Sequence, residues 1–148
     1  MVNYETLTLQ LKALTDGIPF ETANLANAAA LLGEHQPDIN WAGVYKMTDG
    51  KLVLGPFQGK TACIGIPVGK GGCGTAVAQD KTQLVYDVHE FPGHIACDCT
   101  SNSEIVVPIH VNGEIWGVPD IDSPFVGRFS ETDQEGLEIF VKVLEQIL

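Results

Sequence analysis

Apolar residues recur at two different spacings along the chain, and these spacings predict helices towards both ends with strands between them. Spacing typical of a helix covers residues 4–14 and 20–36, where leucines and alanines recur at intervals of three and four. A last helix is predicted after Ser130, which forms an imperfect capping box with Asp133, and it runs to the C-terminus. Helices of this kind can cover a sheet with their apolar faces.

The middle of the chain is rich in β-branched and aromatic residues, which favour strands. Strands are predicted at residues 40–47, 51–57, 84–86, 104–111 and 114–121. Asp49-Gly50 and Asn112-Gly113 separate consecutive strands, and both dipeptides favour tight hairpin turns. A glycine-rich loop opens into a short helix over residues 71–78. Because hairpins join antiparallel strands, we predict an α+β domain whose antiparallel sheet is covered by helices.

Length and charge indicate the number of domains and exclude some classes of partner. A chain of 148 residues with 45% hydrophobic content can form one domain with its own core. Its first residues lack the basic region and apolar run of a signal peptide, and no apolar stretch reaches the length of a membrane span, so we expect a cytoplasmic protein. The net charge of −11 argues against nucleic acid as a partner. A homodimer is compatible with these features.

Four cysteines are the strongest indication of chemistry. Cys63, Cys73, Cys97 and Cys99 form no Cys-x-x-Cys pair, so a disulfide among the first three would join distant segments. Cysteines of a reducing compartment more often serve redox chemistry or metal binding than structural crosslinking. Taken alone, each is still more often a small buried hydrophobic residue. Cys97 differs, because it is flanked by His94 and Asp98 in a long loop rich in turn formers.

The same loop permits a metal alternative. His89, His94, Cys97 and Cys99 are four zinc-type ligands within eleven residues. Their spacing is not that of a standard zinc finger, and Cys-x-Cys is tight for a structural zinc. A zinc-stabilised domain is therefore the second reading of the loop.

Acidic and aromatic residues indicate a polar cleft beside an apolar one. Asp120 and Asp122 lie two apart on a predicted strand and share a face, and Glu104 begins the preceding strand. Clustered carboxylates raise one another's pKa, so one of them can hold a proton at neutral pH, although a solvated sheet edge would also explain them. Trp41 and Tyr45 also share a strand face. They are either ordinary core or the wall of a small pocket, with the tyrosine hydroxyl as a polar handle.

Several motifs together resemble one known family, the free methionine-(R)-sulfoxide reductases, which are single GAF-domain enzymes. The most specific run is Phe91-Pro-Gly-His-Ile-Ala-Cys-Asp98, whereas Cys73-Gly-Thr-Ala76 is common among GAF domains. The other matching segments are Asn40–Gly43, Leu54–Lys60, Asp87–His89, Ser103–Pro108 and Asp120–Pro124. The resemblance implies one GAF domain over residues 1–148, with a central antiparallel sheet of about six strands flanked by N- and C-terminal helices.

The resemblance also implies a role for each thiol. Cys97 would attack the sulfoxide sulfur and become a sulfenic acid, Cys63 would resolve it as a disulfide, and Cys73 would be a third thiol able to enter exchange. The acids that hold and protonate the sulfoxide would be Glu104, Asp120 and Asp122. A thioredoxin-type dithiol would restore the thiols, and neither a metal nor a cofactor is implied.

The resemblance also implies substrate contacts, and the chain differs from the family pattern at two positions. The resemblance assigns substrate binding to Trp41, Tyr45, Asp87, Ile95 and Ala96. Residue 119 is Pro where the family pattern has Leu, and a proline removes a ladder donor from the strand that carries Asp120. Cys99 stands where a small residue without a thiol is expected. A GAF domain that binds a small ligand without catalysis is the remaining alternative.

Overall fold

The computed structural model describes residues 2–94 and 100–148. Helices lie near both ends and strands between them, as the sequence patterns predict. The order is α1 (Tyr4–Thr15), α2 (Glu21–His35), β1 (Trp41–Thr48), β2 (Lys51–Gly59), β3 (Gly65–Pro67), α3 (Gly71–Gln79), β4 (Gln83–Val85), a 3-10 turn (Val88–Glu90), β5 (Ser103–Val106), β6 (Ile109–Val111), β7 (Glu114–Ser123) and α4 (Glu131–Ile147). No described helix is long and apolar enough to cross a membrane.

The strands form one antiparallel sheet. Six of them follow the order β3-β2-β1-β7-β5-β4, and β6 pairs with β7 beside that path. The predicted α+β fold is therefore confirmed. Both predicted hairpin turns form, because Asp49, Gly50, Asn112 and Gly113 all adopt the positive φ angles that a tight turn between twisted strands requires.

Two details differ from the predicted strands. The continuous strand predicted over residues 104–111 is wrong, since β5 ends at Val106 and β6 begins at Ile109. Pro108 lies in the interruption, where its missing N–H prevents a continuous ladder. The three-residue strand β3 was not predicted, because Gly65-Ile-Pro67 is too short to show a period.

Pro119 is accommodated by the same interruption. Its carbonyl accepts a hydrogen bond from the backbone N–H of Val107, so this side of β7 faces the break between β5 and β6. In a strand the N–H and C=O of one residue point to the same neighbour, so the missing donor of Pro119 also faces the break. Asp120 keeps regular partners, Gly43 on β1 and Val106 on β5. The loss of one ladder donor at Pro119 therefore leaves the pairing of Asp120 intact.

The sheet separates two apolar clusters. One face packs against α1, α2 and α4 through residues such as Ala42, Val44, Ile105 and Ile121. The opposite face carries Trp41, Tyr45, Val106 and Val118, which pack with α3 and β3. Because side chains alternate along each strand, the same strands that build the core also project residues into the second face.

The last helix is fixed by the predicted cap. Ser130 accepts from the backbone N–H of Asp133, and the Asp133 carboxylate accepts from the backbone N–H of Ser130, so both halves of the box form. Asp133 also accepts a hydrogen bond from the Tyr4 hydroxyl at 2.5 Å. This contact connects α1 to α4 over the covered face of the sheet.

Candidate active site

A cavity of about 50 Å³ lies on the sheet face opposite the terminal helices. Its wall is formed by strands β1, β5 and β7, the start of α3 and the segments around them. The lining residues with polar or aromatic side chains are Trp41, Tyr45, Thr61, Lys70, Cys73, His94, Ser101, Glu104, Asp120 and Asp122. The cavity therefore brings together seven of the residues that the sequence singled out, His94 among them.

Strand register explains why three carboxylates meet there. Asp122 is paired with Trp41 on β1 and with Glu104 on β5. Asp120 is two residues away on the same face, so its carboxylate is the diagonal neighbour of Glu104. One oxygen each of Glu104 and Asp120 and the Cys73 sulfur all lie within 4.8 Å of one another.

Asp120 is the most perturbed acid of the group. It is 5% exposed, and its Oδ1 has no hydrogen-bond partner among the described residues. Burial, followed by the negative charges of Asp122 and Glu104, raises the pKa of Asp120 well above its usual range. The raised pKa favours the protonated form of this carboxyl, which can donate a proton to a ligand in the cavity.

The start of α3 is shaped to receive Glu104. A Cβ atom at Gly72 would overlap Glu104 Oε1, so only glycine allows this carboxylate to lie against the first turn of the helix. The positive end of the helix dipole favours a negative charge at that position. Gly72 therefore has a direct role in building the cavity.

Aromatic rings form the apolar wall. The Trp41 ring stacks on Phe57 with centroids 5.3 Å apart and on Tyr45 with centroids 5.9 Å apart. These rings fill the space beside Gly43, where any side chain would collide with Trp41 and Phe57. The indole N–H of Trp41 donates to the Lys60 carbonyl at 3.1 Å, which fixes the orientation of the ring.

The Tyr45 hydroxyl has a partner within the protein. It donates a hydrogen bond to the backbone carbonyl of Cys63 at 3.0 Å. Burial, and then the charge of Asp120, raises the pKa of Tyr45, so the phenol stays neutral. Its hydroxyl therefore positions the Cys63 segment against the cavity rather than standing free as the polar handle that we expected.

The described thiols differ in state. Cys63 is half-buried and disulfide-bonded, whereas Cys73 is a buried free thiol. Burial, together with the charges of Asp120 and Glu104, raises the pKa of Cys73. A thiol held in this way is a poor nucleophile, because the thiolate is the reactive form. Cys97 and Cys99, as well as Ile95 and Ala96, lie outside the described residues.

The remaining predicted residues lie nearby but have other contacts. Asp87 does not line the cavity; its carboxylate caps the 3-10 turn by accepting from the backbone N–H of His89 at 3.0 Å. The Nε2 atom of His89 is 3.0 Å from Asn102 Oδ1, so this ring nitrogen is already engaged. Since two of the four proposed zinc ligands lie outside the described residues, the zinc site stays a prediction, as does substrate binding by Asp87.

Some cavity residues were not predicted. Lys70, Gly72 and Ser101 line the cavity, and His94 does so although it was considered only as a zinc ligand. The available signal was the run Lys70-Gly-Gly-Cys73, which places a cation and two glycines at the start of a helix. Ser101 gave no signal, because its position depends on a hydrogen bond from Asn40 that spans 61 residues.

Known proteins resemble this chain over its full length. The GAF domain model matches residues 11–148. The free methionine-R-sulfoxide reductase of Escherichia coli (strain K12) is 54% identical over 145 residues, which cover 98% of this chain and 88% of that protein.

Two solved structures also match closely. The fRMsr of Staphylococcus aureus in complex with substrate has a TM-score of 0.95 and 49% identity, covering 100% of this chain and 97% of that one. The free methionine-R-sulfoxide reductase of Neisseria meningitidis in complex with its substrate has a TM-score of 0.94 and 42% identity. The match covers 97% of this chain and 87% of that one. With the match in sequence, fold and sheet topology, the chain belongs to the free methionine-R-sulfoxide reductases of the GAF-domain family.

Proposed function

We propose that this protein reduces free L-methionine-(R)-S-oxide to L-methionine with electrons from its own thiols. The observation that carries the proposal is the buried Asp120 carboxyl, which has a raised pKa and lies in a cavity walled by Trp41 and Tyr45. Its Oδ1 atom has no hydrogen-bond partner among the described residues. A sulfoxide oxygen must gain a proton before its bond to the substrate sulfur breaks, and this carboxyl is suited to supply it. Two solved relatives contain their substrate, which supports a substrate site in this family.

The first step forms a sulfenic acid. The Cys97 thiolate attacks the sulfoxide sulfur while the carboxyl of Asp120, assisted by Glu104 and Asp122, protonates the oxygen. The attack forms an S–S bond between Cys97 and the substrate sulfur, and the protonated oxygen then transfers from the substrate sulfur to the Cys97 sulfur. The S–S bond breaks with its electron pair on the substrate sulfur, so methionine leaves and Cys97 remains as a sulfenic acid. The sulfur of the substrate gains two electrons, which the cysteine sulfur loses.

The second step forms a disulfide. The Cys63 thiol attacks the sulfenic sulfur of Cys97, and the hydroxyl leaves as water. Cys63 is disulfide-bonded in the structure and Cys73 is not its partner, which supports Cys63 as the resolving residue. The raised pKa of Cys73 argues against a fast exchange reaction at that thiol.

Regeneration requires a dithiol. A thioredoxin-type protein would reduce the disulfide, and this requirement agrees with a cytoplasmic location, where such reductants keep thiols reduced. The proposal is tested by measuring methionine formed from free methionine-(R)-sulfoxide with dithiothreitol as reductant. Multiple turnovers support the enzyme, whereas saturable binding without methionine formation would identify a ligand-binding GAF domain.

Replacing Cys63 by serine should separate the two half-reactions. We expect Cys63→Ser to form one equivalent of methionine in a single turnover and then to stall with thioredoxin, because the sulfenic acid lacks its resolving partner. The measurement is methionine per chain in a rapid-quench experiment, followed by the steady-state rate. If the steady-state rate with thioredoxin equals that of the parent, Cys73 or Cys99 resolves the intermediate instead.

Selectivity for the free amino acid is also expected. Acids that can receive an ammonium group line the cavity, and a substrate with a capped amino group offers them no ammonium. We expect the second-order rate constant for free methionine-(R)-sulfoxide to exceed that for its N-acetylated, C-amidated form by about 100-fold or more, since unpaired buried charges strongly disfavour the wrong ligand. Equal rate constants for the two compounds would contradict an enclosed site.

A further inference from the structure

The cavity contains three side chains that could share a cation. One oxygen each of Glu104 and Asp120 and the Sγ atom of Cys73 lie within 4.8 Å of one another, and among the described residues this is the only such group of three. Asp120 and Cys73 are buried, and Glu104 is half-buried. Buried ionisable groups are costly unless they are paired or coordinate a metal, so this cluster differs from the acidic groups common at protein surfaces.

One oxygen of the cluster has a bonding position to spare. Asp120 is 5% exposed and lines the cavity, yet its Oδ1 atom has no hydrogen-bond partner among the described residues. A buried carboxyl oxygen without a partner costs free energy, and coordination of a cation would offset that cost. The Asp120 oxygen is therefore a second indication of a ligand at the position of the cluster.

Acidic groups outnumber basic ones in the cavity lining. Asp122 pairs with Glu104 across the strands and also lines the cavity, so three carboxyl groups and one thiol share a small volume. The one lysine in the described lining, Lys70, is exposed at the start of α3. The raised pKa values of Asp120 and Cys73 reflect this crowding, since retained protons prevent mutual repulsion. A dication would replace those protons and neutralise the charges that they leave.

The donor types select the class of ion. A thiolate with carboxylate oxygens suits Zn²⁺, whereas Mg²⁺ and Ca²⁺ prefer ligands that are all oxygen. Around tetrahedral Zn²⁺, ligand atoms are roughly 3.4–3.6 Å apart, so the three atoms need to close by at most about 1.4 Å. The cavity volume of about 50 Å³ exceeds the roughly 15 Å³ that one water molecule requires, which leaves space for an ion and a water in the fourth position.

We propose that Zn²⁺ binds in this cavity to Cys73 Sγ and to one oxygen each of Glu104 and Asp120, and that it inhibits the protein by excluding the sulfoxide. Binding exchanges protons for metal: the Cys73 thiol and the Asp120 carboxyl each release a proton, and no atom changes its oxidation state. The ion engages the same carboxyl that is proposed to protonate the substrate oxygen. The inhibition therefore rests on the proposed function, whereas the metal site does not.

Binding is tested with Co²⁺, a spectroscopic substitute for Zn²⁺, on the disulfide form of the protein, in which Cys63 is blocked and Cys73 is a free thiol. One equivalent of Co²⁺ should produce a thiolate-to-cobalt charge-transfer absorption that added Zn²⁺ removes. Cys73→Ser should abolish this absorption. It should also weaken Zn²⁺ binding, measured by competition with a zinc-sensitive dye, by about 100-fold or more, because even partners outside the ligand set contribute roughly 10- to 100-fold.

Two matched controls separate this site from other metal ligands. Cys99→Ser removes a thiol from the loop that could itself bind zinc, and it should keep the cobalt absorption. Glu104→Gln should weaken Zn²⁺ binding, whereas Glu90→Gln, at an exposed acid that does not line the cavity, should not. Absorption that persists in Cys73→Ser or disappears in Cys99→Ser would overturn the site. Absence of Co²⁺ and Zn²⁺ binding by the parent would overturn it as well.

Inhibition is measured on freshly reduced protein without added thiol, because dithiothreitol itself binds Zn²⁺. Zn²⁺ should suppress single-turnover methionine formation, a chelator should restore it, and excess methionine-(R)-sulfoxide should relieve it. Relative to its own metal-free rate, Cys73→Ser should need about 100-fold more Zn²⁺ for the same suppression, in line with its weaker binding.

The possible failures are distinguishable. Suppression that no substrate concentration relieves, or equal sensitivity of Cys73→Ser and the parent, would overturn inhibition through this site. If the metal-free parent forms no methionine, the proposed function fails instead, and the cobalt and zinc titrations still decide whether the metal site exists.

Discussion

Replacing Cys97 by serine is expected to abolish reduction of free methionine-(R)-sulfoxide. An alcohol at this position cannot become the soft, ionised nucleophile that attacks sulfur, and no sulfenic acid can form. Single-turnover methionine formation should fall below detection with every reductant. The measurement is methionine per chain after mixing reduced protein with excess substrate.

Cys99→Ser is the matched control, because it removes a thiol two residues away in the same loop. That variant should keep the single-turnover yield. Methionine formation by Cys97→Ser at the parental rate would exclude Cys97 as the attacking group. The same loss in both variants would indicate damage to the loop rather than loss of the nucleophile.

Asp120→Asn is expected to lower the single-turnover rate by roughly 100- to 10,000-fold, the range typical of lost general acid catalysis. The amide keeps the size of the carboxyl but is a far poorer acid, so substrate affinity should change much less than rate. Asp122→Asn should also lower the rate, because Asp122 helps to raise the pKa of Asp120. A near-parental rate in Asp120→Asn would remove this residue from the chemistry.

The stability of Asp120→Asn at neutral pH should stay equal or rise, although its single-turnover rate falls. Because the pKa of Asp120 is raised in the folded state, the unfolded chain loses this proton first as pH rises, and folding is progressively disfavoured. This loss begins above about pH 4, the ordinary range of an aspartate, and continues through the raised pKa. Asp120→Asn should therefore have an equal or higher free energy of unfolding than the parent at neutral pH.

The measurement is denaturant unfolding of the parent and Asp120→Asn at several pH values. The advantage of the variant should shrink towards about pH 4, where the carboxyl is protonated in both states. Asp16→Asn, an equal charge change at an exposed position, should show no such trend. A strongly destabilised Asp120→Asn would indicate that the carboxyl mainly supports the fold.

The sequence predicted those parts of the fold that depend on local pattern. Both hairpins follow from Asp49-Gly50 and Asn112-Gly113, whose side chains and backbones favour positive φ angles regardless of their surroundings. The break at Val107-Pro108 was missed, because a proline can end a strand or lie harmlessly at its edge. Its effect depends on the neighbouring strand, where Pro119 faces the same gap.

In the candidate site, too, the features that depend on local pattern were predicted and those that depend on distant neighbours were not. Strand alternation placed Asp120 and Asp122 on one face, and it placed Trp41 and Tyr45 together. It did not indicate that Asp120 would be the buried acid, since burial is decided by neighbours on β1 and β5 that are far away in sequence. The tyrosine hydroxyl was expected to face a ligand, yet it donates to the Cys63 carbonyl, a contact that only the folded chain creates.

The most direct measurement follows the stoichiometry of one turnover without any added reductant. Fully reduced protein is mixed with an equal mixture of the two epimers of free methionine sulfoxide, and methionine, both epimers and protein thiols are quantified. We expect one methionine per chain, formed from the R epimer alone, with the loss of two thiols. Formation of no methionine, its formation from the S epimer, or its formation with all thiols retained would contradict a thiol-dependent reductase of free methionine-(R)-sulfoxide.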